Sequence, residues 1–454
     1  MIRIYIYFGI FFVSMYLTVS GILRFLAPRH RFWTLFSGRK TPKSRSFWQF
    51  LLVRICGGIC AVMGVNWLVQ LHPEILSTKQ PLYDPIIHHW HSLDEDGTDE
   101  ETAILQRLEK TMQFHLRPNE RISVPFGICI GAIHGERTFL FSAGLITSTS
   151  KTSPDANTVF GLGSVTKVFT ATALARSLEN GTTSLDQTLS SLLPDWKMNE
   201  QNASITVKDL ITHHSGLPKN VKLPLTTFAE SVIRLGPYSD DLTIDDAKNS
   251  LAVFPASGRE YRYSNFGVAI LGYALAHGRG ETYDAMINNL ICNPLNMSDT
   301  SVTPAKETTR TAEGYVGPIR FAGRYLLMRL PCHELAEVYQ GGFGLYSTVN
   351  DLLRYVNASL RAPVGPIGAA LSQIQVPVAN TNRDENKAGL SLMIKHVSWA
   401  HDPLYWHSGY DGGFTAYIAF FKERKIGLVL LASGFVSEEL PDKLMKALYS
   451  STVP

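Results

Sequence analysis

Hydrophobic residues first occur as two long runs and only afterwards as short periodic segments. Ile4 to Leu23 carries no charge and is long enough to cross a hydrocarbon core. A second run, Phe47 to Leu71, contains Arg54, which can snorkel toward an interface, and carries Trp48 and Trp67 near its ends. Arg24, Arg29, Arg31, Arg39, Lys40, Lys43 and Arg45 lie between the runs; only Arg3 precedes the first, and Lys79 is the nearest basic residue after the second. This asymmetry predicts a two-pass membrane hairpin over residues 1–75, its basic loop cytoplasmic and the rest of the chain on the non-cytoplasmic side. The first run is longer than a usual signal-peptide core, and no small-residue cleavage site follows it. Residues 76–104 hold Asp94, Glu95, Asp96, Asp99, Glu100 and Glu101 and predict a solvated acidic linker. His88, His89 and His91 within it lack a carboxylate or cysteine partner in ligand spacing, so no metal site is assigned.

Residues 105–450 then read as one continuous globular unit without internal repeat or low-complexity break. Val124 to Ile133 and Arg137 to Phe141 have strand character around a turn at His134-Gly135. Ser164 to Leu178 predicts a buried helix stopped by Asn180-Gly181. Thr206 with Asp209, and Thr348 with Asp351, have capping-box spacing ahead of short helical patterns. Thr415 to Phe421 and Ile426 to Ala432 predict a final strand pair around Lys422-Glu423-Arg424-Lys425. Strands at both ends with helices between predict an α/β fold: an antiparallel sheet assembled from the two ends, with a helical insert at about 182–345.

Composition narrows the function. Hydrophobic residues make up 45% and charged residues 18%, a globular balance with a membrane contribution. The net charge of +3 is concentrated in the early basic loop, and no basic stripe with interleaved aromatics follows, which argues against nucleic acid as a partner. Five scattered cysteines form neither a disulfide framework nor a zinc pattern, and no cofactor is implied.

Three S-x-x-K patterns occur, at Ser37–Lys40, Ser148–Lys151 and Ser164–Lys167. Only Ser164 follows a glycine-bearing turn, Gly161-Leu162-Gly163, and opens an apolar helix. At a helix start its hydroxyl meets unpaired N–H groups and the positive end of the dipole, and Lys167 lies one turn on along the same face. A serine hydroxyl becomes a useful nucleophile when a neighbouring base takes its proton; a desolvated lysine can be that base, or can hold a tyrosine phenolate that is. Tyr263-Ser264-Asn265 sits at a loop-to-helix junction, whereas the similar Tyr355-Val356-Asn357 falls inside an amphipathic helical pattern. His407-Ser408-Gly409-Tyr410 precedes Gly412-Gly413 and the final strands; His214-Ser215-Gly216 spells the same tripeptide but reads as the glycine stop of a short helix, and Lys387-Ala388-Gly389 and Lys425-Ile426-Gly427 are further rivals. Glycine in an edge strand lets a substrate approach, and an N–H of the His407–Tyr410 segment can combine with that of Ser164 as an oxyanion hole.

The ordered trio Ser164-x-x-Lys167, Tyr263-x-Asn265 and His407-x-Gly409, with the flanks LITHHSGLP and GGFGLYSTVNDLL, resembles the class C-like branch of the serine β-lactamase and penicillin-binding protein superfamily over about Glu101 to Ser450. The resemblance implies an α/β sandwich with an inserted helical domain, acylation of Ser164, proton transfer shared by Lys167 and Tyr263, a substrate amide bound by Asn265, and His407, Gly409 and Tyr410 on the far wall. Class C β-lactamases usually carry lysine in the third motif; histidine there resembles D-peptidases and esterases of the same branch, which puts efficient β-lactam hydrolysis in doubt. The expected activity is acyl-enzyme hydrolysis of a small-molecule, peptide or ester substrate, foremost a D-alanyl peptide or ester. The alternatives are a carboxylesterase or transesterase for small acyl groups and a scaffold that binds penicillin without turnover.

Overall fold

The computed structural model describes residues 76–77, 87–93, 97–115, 126–221, 242–304, 309–321, 324–330, 335–382 and 386–450. Both long apolar runs and the loop joining them lie outside these residues; among the described residues no helix is long and apolar enough to cross a membrane. The elements below belong to one compact unit, 78–228 and 236–454.

The main sheet contains β1 (Ile87–Ser92), β2 (Gly127–His134), β3 (Arg137–Gly144), β4 (Ala379–Asn380), β5 (Asn386–Ala388), β6 (Met393–Lys395), β7 (Leu404–Asp411), β8 (Phe414–Phe421) and β9 (Ile426–Ser433), in spatial order β1-β3-β2-β9-β8-β7-β6-β5-β4. All neighbours are antiparallel. The pairing of β9 with β2, Ile426 opposite His134 and Ser433 opposite Gly127, joins the two ends of the unit, as the distribution of strands predicts. Every residue of β2, β8 and β9 is buried, because helices cover both faces of the sheet. Ile128, Ile130 and Ala132 face the layer formed by α1 (Asp99–His115) and the final helix Glu439–Tyr449; Cys129 and Ile133 face the opposite layer, which holds α2 (Thr166–Glu179) and the helix Val349–Arg361. Gly131 is what allows that second helix onto the sheet: a Cβ there would lie 2.7 Å from Leu353 Cδ1 and from Val349 Cγ1.

Two expectations need correction. Residues 76–104 are not a plain linker: β1 adds to the edge of the main sheet, and the acidic cluster Asp99-Glu100-Glu101 is the first turn of α1, where carboxylates favour the helix dipole. The insert is not wholly helical either. Besides its helices it carries the β-hairpin of Gly314–Phe321 and Arg324–Leu330. The base of that hairpin rests on Gly412 and Gly413, the two-residue loop between β7 and β8. Both have positive φ, 55° and 78°, the geometry of a primed hairpin turn, and Tyr315 N–H donates to Gly413 C=O at 2.9 Å.

The caps follow the sequence more closely. Thr206 and Asp209 form a complete capping box, while Thr348 accepts from Asp351 N–H without the reciprocal bond. The buried Asp351 carboxylate instead accepts from Asp299 N–H and from the Thr300 hydroxyl, each at 2.8 Å. The stop at Asn180-Gly181 is present, Gly181 having φ 72°.

Candidate active site

A 3-10 turn, Gly163–Val165, leads into α2 and places Ser164 at its head. Gly163 has φ 48°, and a Cβ there would lie 3.0 Å from Tyr410 N, so the turn and β7 pack backbone against backbone. Gly409 makes the same demand from the other side: a Cβ on it would collide with the Leu162 carbonyl oxygen and lie 2.9 Å from Ser164 N. The glycines of the first and third motifs thus bring the amides of Ser164 and Tyr410 onto facing segments.

Lys167 is fully buried, its Nζ 2.7 Å from Ser164 Oγ and 2.7 Å from the Gly342 carbonyl oxygen. Gly342 reaches it through a close helix pair, α3 (Asn265–Gly278) with α4 (Glu337–Phe343). A Cβ on Gly272 would lie 2.9 Å from Gly341 Cα, and one on Gly342 would lie 3.0 Å from Asn265 O. The GGF sequence therefore serves to let a carbonyl approach the lysine. Burial brings the Lys167 amine down from 10.5 to about 7; Asp411 opposes that fall and Lys219 adds to it.

Tyr263 hydrogen-bonds to Ser164, and its ring centroid lies 5.1 Å from Lys167 Nζ. Desolvation pushes its phenol well above the usual range, partly offset by the bond to Ser164. Ser264 next to it caps α3, its hydroxyl accepting from Gly267 N–H at 2.9 Å and donating to Pro218 C=O at 2.7 Å, which fixes the chain at the motif. Asn265 Nδ2 donates to Asn220 Oδ1 at 2.9 Å, while Asn265 Oδ1 is buried with no partner among the described residues.

His407 is buried, 4% exposed, with Nδ1 2.8 Å from Ser408 C=O. A carbonyl only accepts, so Nδ1 carries the proton and Nε2 is the open acceptor. Burial first, and then the Lys167 charge, push the imidazole down to about 3. Histidine at this position is buried and uncharged, and it is not among the residues that line the cavity beside Ser164, where Tyr410 and Asp411 represent the third motif's strand.

The structure also places the rivals. Ser148 is exposed and bonded to Glu313, not to a lysine, and Ser37–Lys40 lies outside the described residues. Tyr355 is fully buried and bonded to Thr172 at 2.6 Å. Gly216 is not the stop of the short helix Val207–Ile211, as the sequence suggested: Thr212 is its C-cap and His213, with φ 63°, is the left-handed residue that follows, while Gly216, with φ 69°, lies further on, where a Cβ would collide with the Gly258 carbonyl oxygen. Lys387 is exposed, and Lys425 sits in the β8–β9 turn, 3.5 Å from Glu136.

Sequence reasoning missed His213. It is buried with φ 63°, accepts from Ser264 N–H at Nδ1 (3.2 Å), and lays its ring against that of Tyr263 at 4.3 Å. It also missed Asp411 and Asn220, which line the cavity beside Ser164. The adjacent His214 masked the signal of the first; the other two carry no pattern.

Comparison with known proteins agrees with this geometry. A family model described as beta-lactamase matches residues 126–448. The chain is 24% identical over 321 residues to the D-alanyl-D-alanine-carboxypeptidase/endopeptidase AmpH of Escherichia coli, covering 68% of this chain and 79% of that one. It is 26% identical to protein flp of Staphylococcus aureus over 306 residues, 67% of this chain and 57% of the relative. With beta-lactamase-like protein 2 of Dictyostelium discoideum it shares 25% over 298 residues, 64% and 52%. The chain thus spans little more than half the length of the last two. A solved class C beta-lactamase superposes with TM-score 0.66 at 21% identity, covering 81% of this chain and 99% of that one. The enzyme from Rhodobacter sphaeroides gives 0.62 at 20% identity, covering 77% and 99%.

Proposed function

Since this chain belongs to the beta-lactamase family, on its class C-like side, we propose that it is a serine hydrolase that works through an acyl-enzyme on Ser164. The observation that carries this is the buried Lys167, whose Nζ lies 2.7 Å from the Ser164 hydroxyl. An amine that titrates at about 7 is substantially neutral near that pH, and its lone pair can take the Ser164 proton. Tyr263 keeps its proton at neutral pH, so it serves as a phenol donor and relay rather than as a resident phenolate. Ser164 Oγ attacks the substrate carbonyl carbon while its proton passes to Lys167. The oxyanion lies between the amides of Ser164 and Tyr410. The proton returns through Tyr263 to the leaving alcohol or amine as the acyl bond breaks, and water then reverses the sequence to release the acid.

The substrate is an ester or amide. The orphaned Asn265 Oδ1, an acceptor, and the relationship to the Escherichia coli carboxypeptidase/endopeptidase support a D-alanyl peptide or ester. The uncharged His407 favours a second reading, a carboxylesterase or transesterase for neutral acyl groups. Intact-mass analysis after treatment with a fluorophosphonate should show one adduct, on the peptide containing Ser164, and Ser164→Ala should abolish it. An adduct at Ser148, or labelling that survives in Ser164→Ala, removes the reading. The two apolar runs and the basic loop support a catalytic unit on the non-cytoplasmic side of a membrane. Protease accessibility in sealed, right-side-out vesicles tests this; digestion only after the membrane is opened contradicts it.

A further inference from the structure

The chain carries N-x-S/T triplets without a central proline at Asn180-Gly181-Thr182, Asn202-Ala203-Ser204, Asn296-Met297-Ser298 and Asn357-Ala358-Ser359. The fold treats them differently. Asn202 is fully buried; its Nδ2 donates to Leu251 C=O at 2.7 Å and to Phe254 C=O at 2.9 Å, and its Oδ1 accepts from Ala256 N–H at 2.9 Å. No substituent fits on that nitrogen without breaking those bonds. Asn357 is exposed but lies inside the helix Val349–Arg361; its Oδ1 accepts from Arg361 Nε at 2.7 Å, and the Ser359 hydroxyl donates to Tyr355 C=O instead. Asn296 is exposed with φ 55°, yet Met297, the middle of its triplet, is buried. Asn180 closes α2 at the solvent. All three residues of its triplet are exposed, and a Cβ on Gly181 would meet nothing within 4 Å. Gly181, with φ 72°, turns the chain so that Thr182 folds back onto the asparagine. Thr182 N–H donates to Asn180 Oδ1 at 3.1 Å; the Thr182 hydroxyl lies 2.8 Å from the same oxygen and 3.2 Å from Ser177 C=O, so the amide is its nearer acceptor. Asn180 Nδ2 donates to nothing among the described residues.

We propose that Asn180 is an N-glycosylation site, its Nδ2 taking an oligosaccharide from a lipid-pyrophosphate donor on the non-cytoplasmic side of the membrane. The inference rests on the orientation proposed above for the catalytic unit. Hydrogen bonds accepted at Oδ1 draw electron density out of the amide and make the Nδ2 protons more acidic. Nδ2 forms a bond to the anomeric carbon while the bond from that carbon to the pyrophosphate oxygen breaks. One Nδ2 proton passes to a base of the transferase, and the lipid pyrophosphate leaves with the electron pair. A glycan added before folding is tolerated only where the folded chain leaves the substituted nitrogen outside, which Asn180 satisfies and Asn202 does not. Ser164 and Asn180 stand at opposite ends of α2, about 20 Å apart at 1.5 Å per residue, so the glycan stays clear of the nucleophile.

The test is expression of the full-length protein in a eukaryotic secretory host, followed by treatment with a peptide N-glycosidase. The wild-type band should move to lower mass on treatment, and peptide mass analysis should find Asn180 converted to aspartate. Asn180→Gln should remove the shift. Thr182→Ala, which keeps the asparagine and deletes the hydroxyl, should remove it as well, whereas Thr182→Ser should keep it. Protease protection in sealed microsomes from the same cells reads the orientation separately. A protected unit with no shift, or a glycan mapped to Asn296 or Asn357 with Asn180 unmodified, overturns the site and leaves the orientation standing. A unit digested in sealed microsomes overturns the orientation, and the acceptor role of Asn180 with it.

Discussion

If Lys167 is the base, activity must follow the titration of a lysine that has lost its solvent. The amine falls from 10.5 to about 7 because it is buried, hydrogen-bonded to Gly342 C=O and the Ser164 hydroxyl. At about 1.4 kcal/mol per pH unit, that fall corresponds to roughly 5 kcal/mol of destabilisation of the charged form. The sign follows. A depressed amine means that the folded protein binds fewer protons than the unfolded chain between about pH 7 and 10.5, so stability rises with pH across that window and lies at its lower level below it. The acylation rate of Ser164 by a fluorophosphonate should therefore climb about tenfold per pH unit below 7 and level off above it. Removing the Asp411 carboxylate (Asp411→Asn) should lower the midpoint, because that charge is what holds it up, while Lys219→Gln should raise it. Lys167→Arg keeps a cation that cannot become neutral and should lose about 10²–10⁴ in rate. Lys167→Met removes a buried amine that is costly to charge. It leaves Gly342 C=O without its donor, worth about 1–3 kcal/mol, so near-neutral stability should still gain a few kcal/mol in urea unfolding, and the gain should shrink by pH 10. A midpoint above 9, as for a solvated lysine, or a rate flat from pH 5 to 9, would refute the argument.

Gly409→Ala should cost about 1–3 kcal/mol in thermal unfolding and lower kcat about 10²-fold, since its Cβ has no room between Leu162 and Ser164; activity within threefold of wild type would show that β7 can move aside. His407 should contribute no titration between pH 5 and 8, and His407→Lys should raise the kcat/KM ratio of a carboxylate-bearing β-lactam over a short ester about tenfold by installing a cation. A ratio that does not change would assign His407 to packing alone.

The parts of the fold legible in the sequence are those where burial is complete or a cap is local. Phe414–Phe421 and Ile426–Ser433 are buried at every position, and their apolar runs mark them within a residue of their ends. Thr206 and Asp209 can be paired by eye because the box spans four residues. Helix α1 was hidden by its own first turn: three carboxylates resemble a linker, although Ile104, Leu108 and Met112, four apart, are the buried stripe that follows. In the site, Ser164 and Lys167 are one turn apart and visible. The amine is depressed by burial, and the segments that bury it are far away in sequence: Gly342, whose carbonyl meets the amine, is 175 positions away on a helix pair held close by glycines, which no local pattern encodes. The same distance hid the neutrality of His407: its type is plain in the sequence, its burial is not.

His213 is the residue where that loss matters most, because its neighbour His214 spells the tripeptide of the third motif and drew attention to itself. His213 holds the tyrosine motif in two ways. Its Nδ1 accepts from Ser264 N–H, so the ring is neutral with its proton on Nε2, and its face packs on Tyr263 at 4.3 Å. Burial, then the nearby Lys167 and histidine charges, hold its pKa well below the usual value, so it supplies no charge to the site at working pH. Its backbone has φ 63°, a conformation that asparagine tolerates better than most residues. His213→Asn can keep both that conformation and an acceptor for Ser264 N–H while removing the ring behind Tyr263. If His213 acts as a positioning residue through the ring, kcat for a short ester should fall about tenfold or more with KM little changed, because a displaced phenol serves proton transfer rather than binding. His213→Phe keeps a ring and removes the acceptor, and should lower stability by about 1–3 kcal/mol for the buried N–H it leaves unpaired. The two variants therefore separate catalytic positioning from folding: a kcat for His213→Asn within twofold of wild type would show that Tyr263 is held by Ser264 and its cap alone.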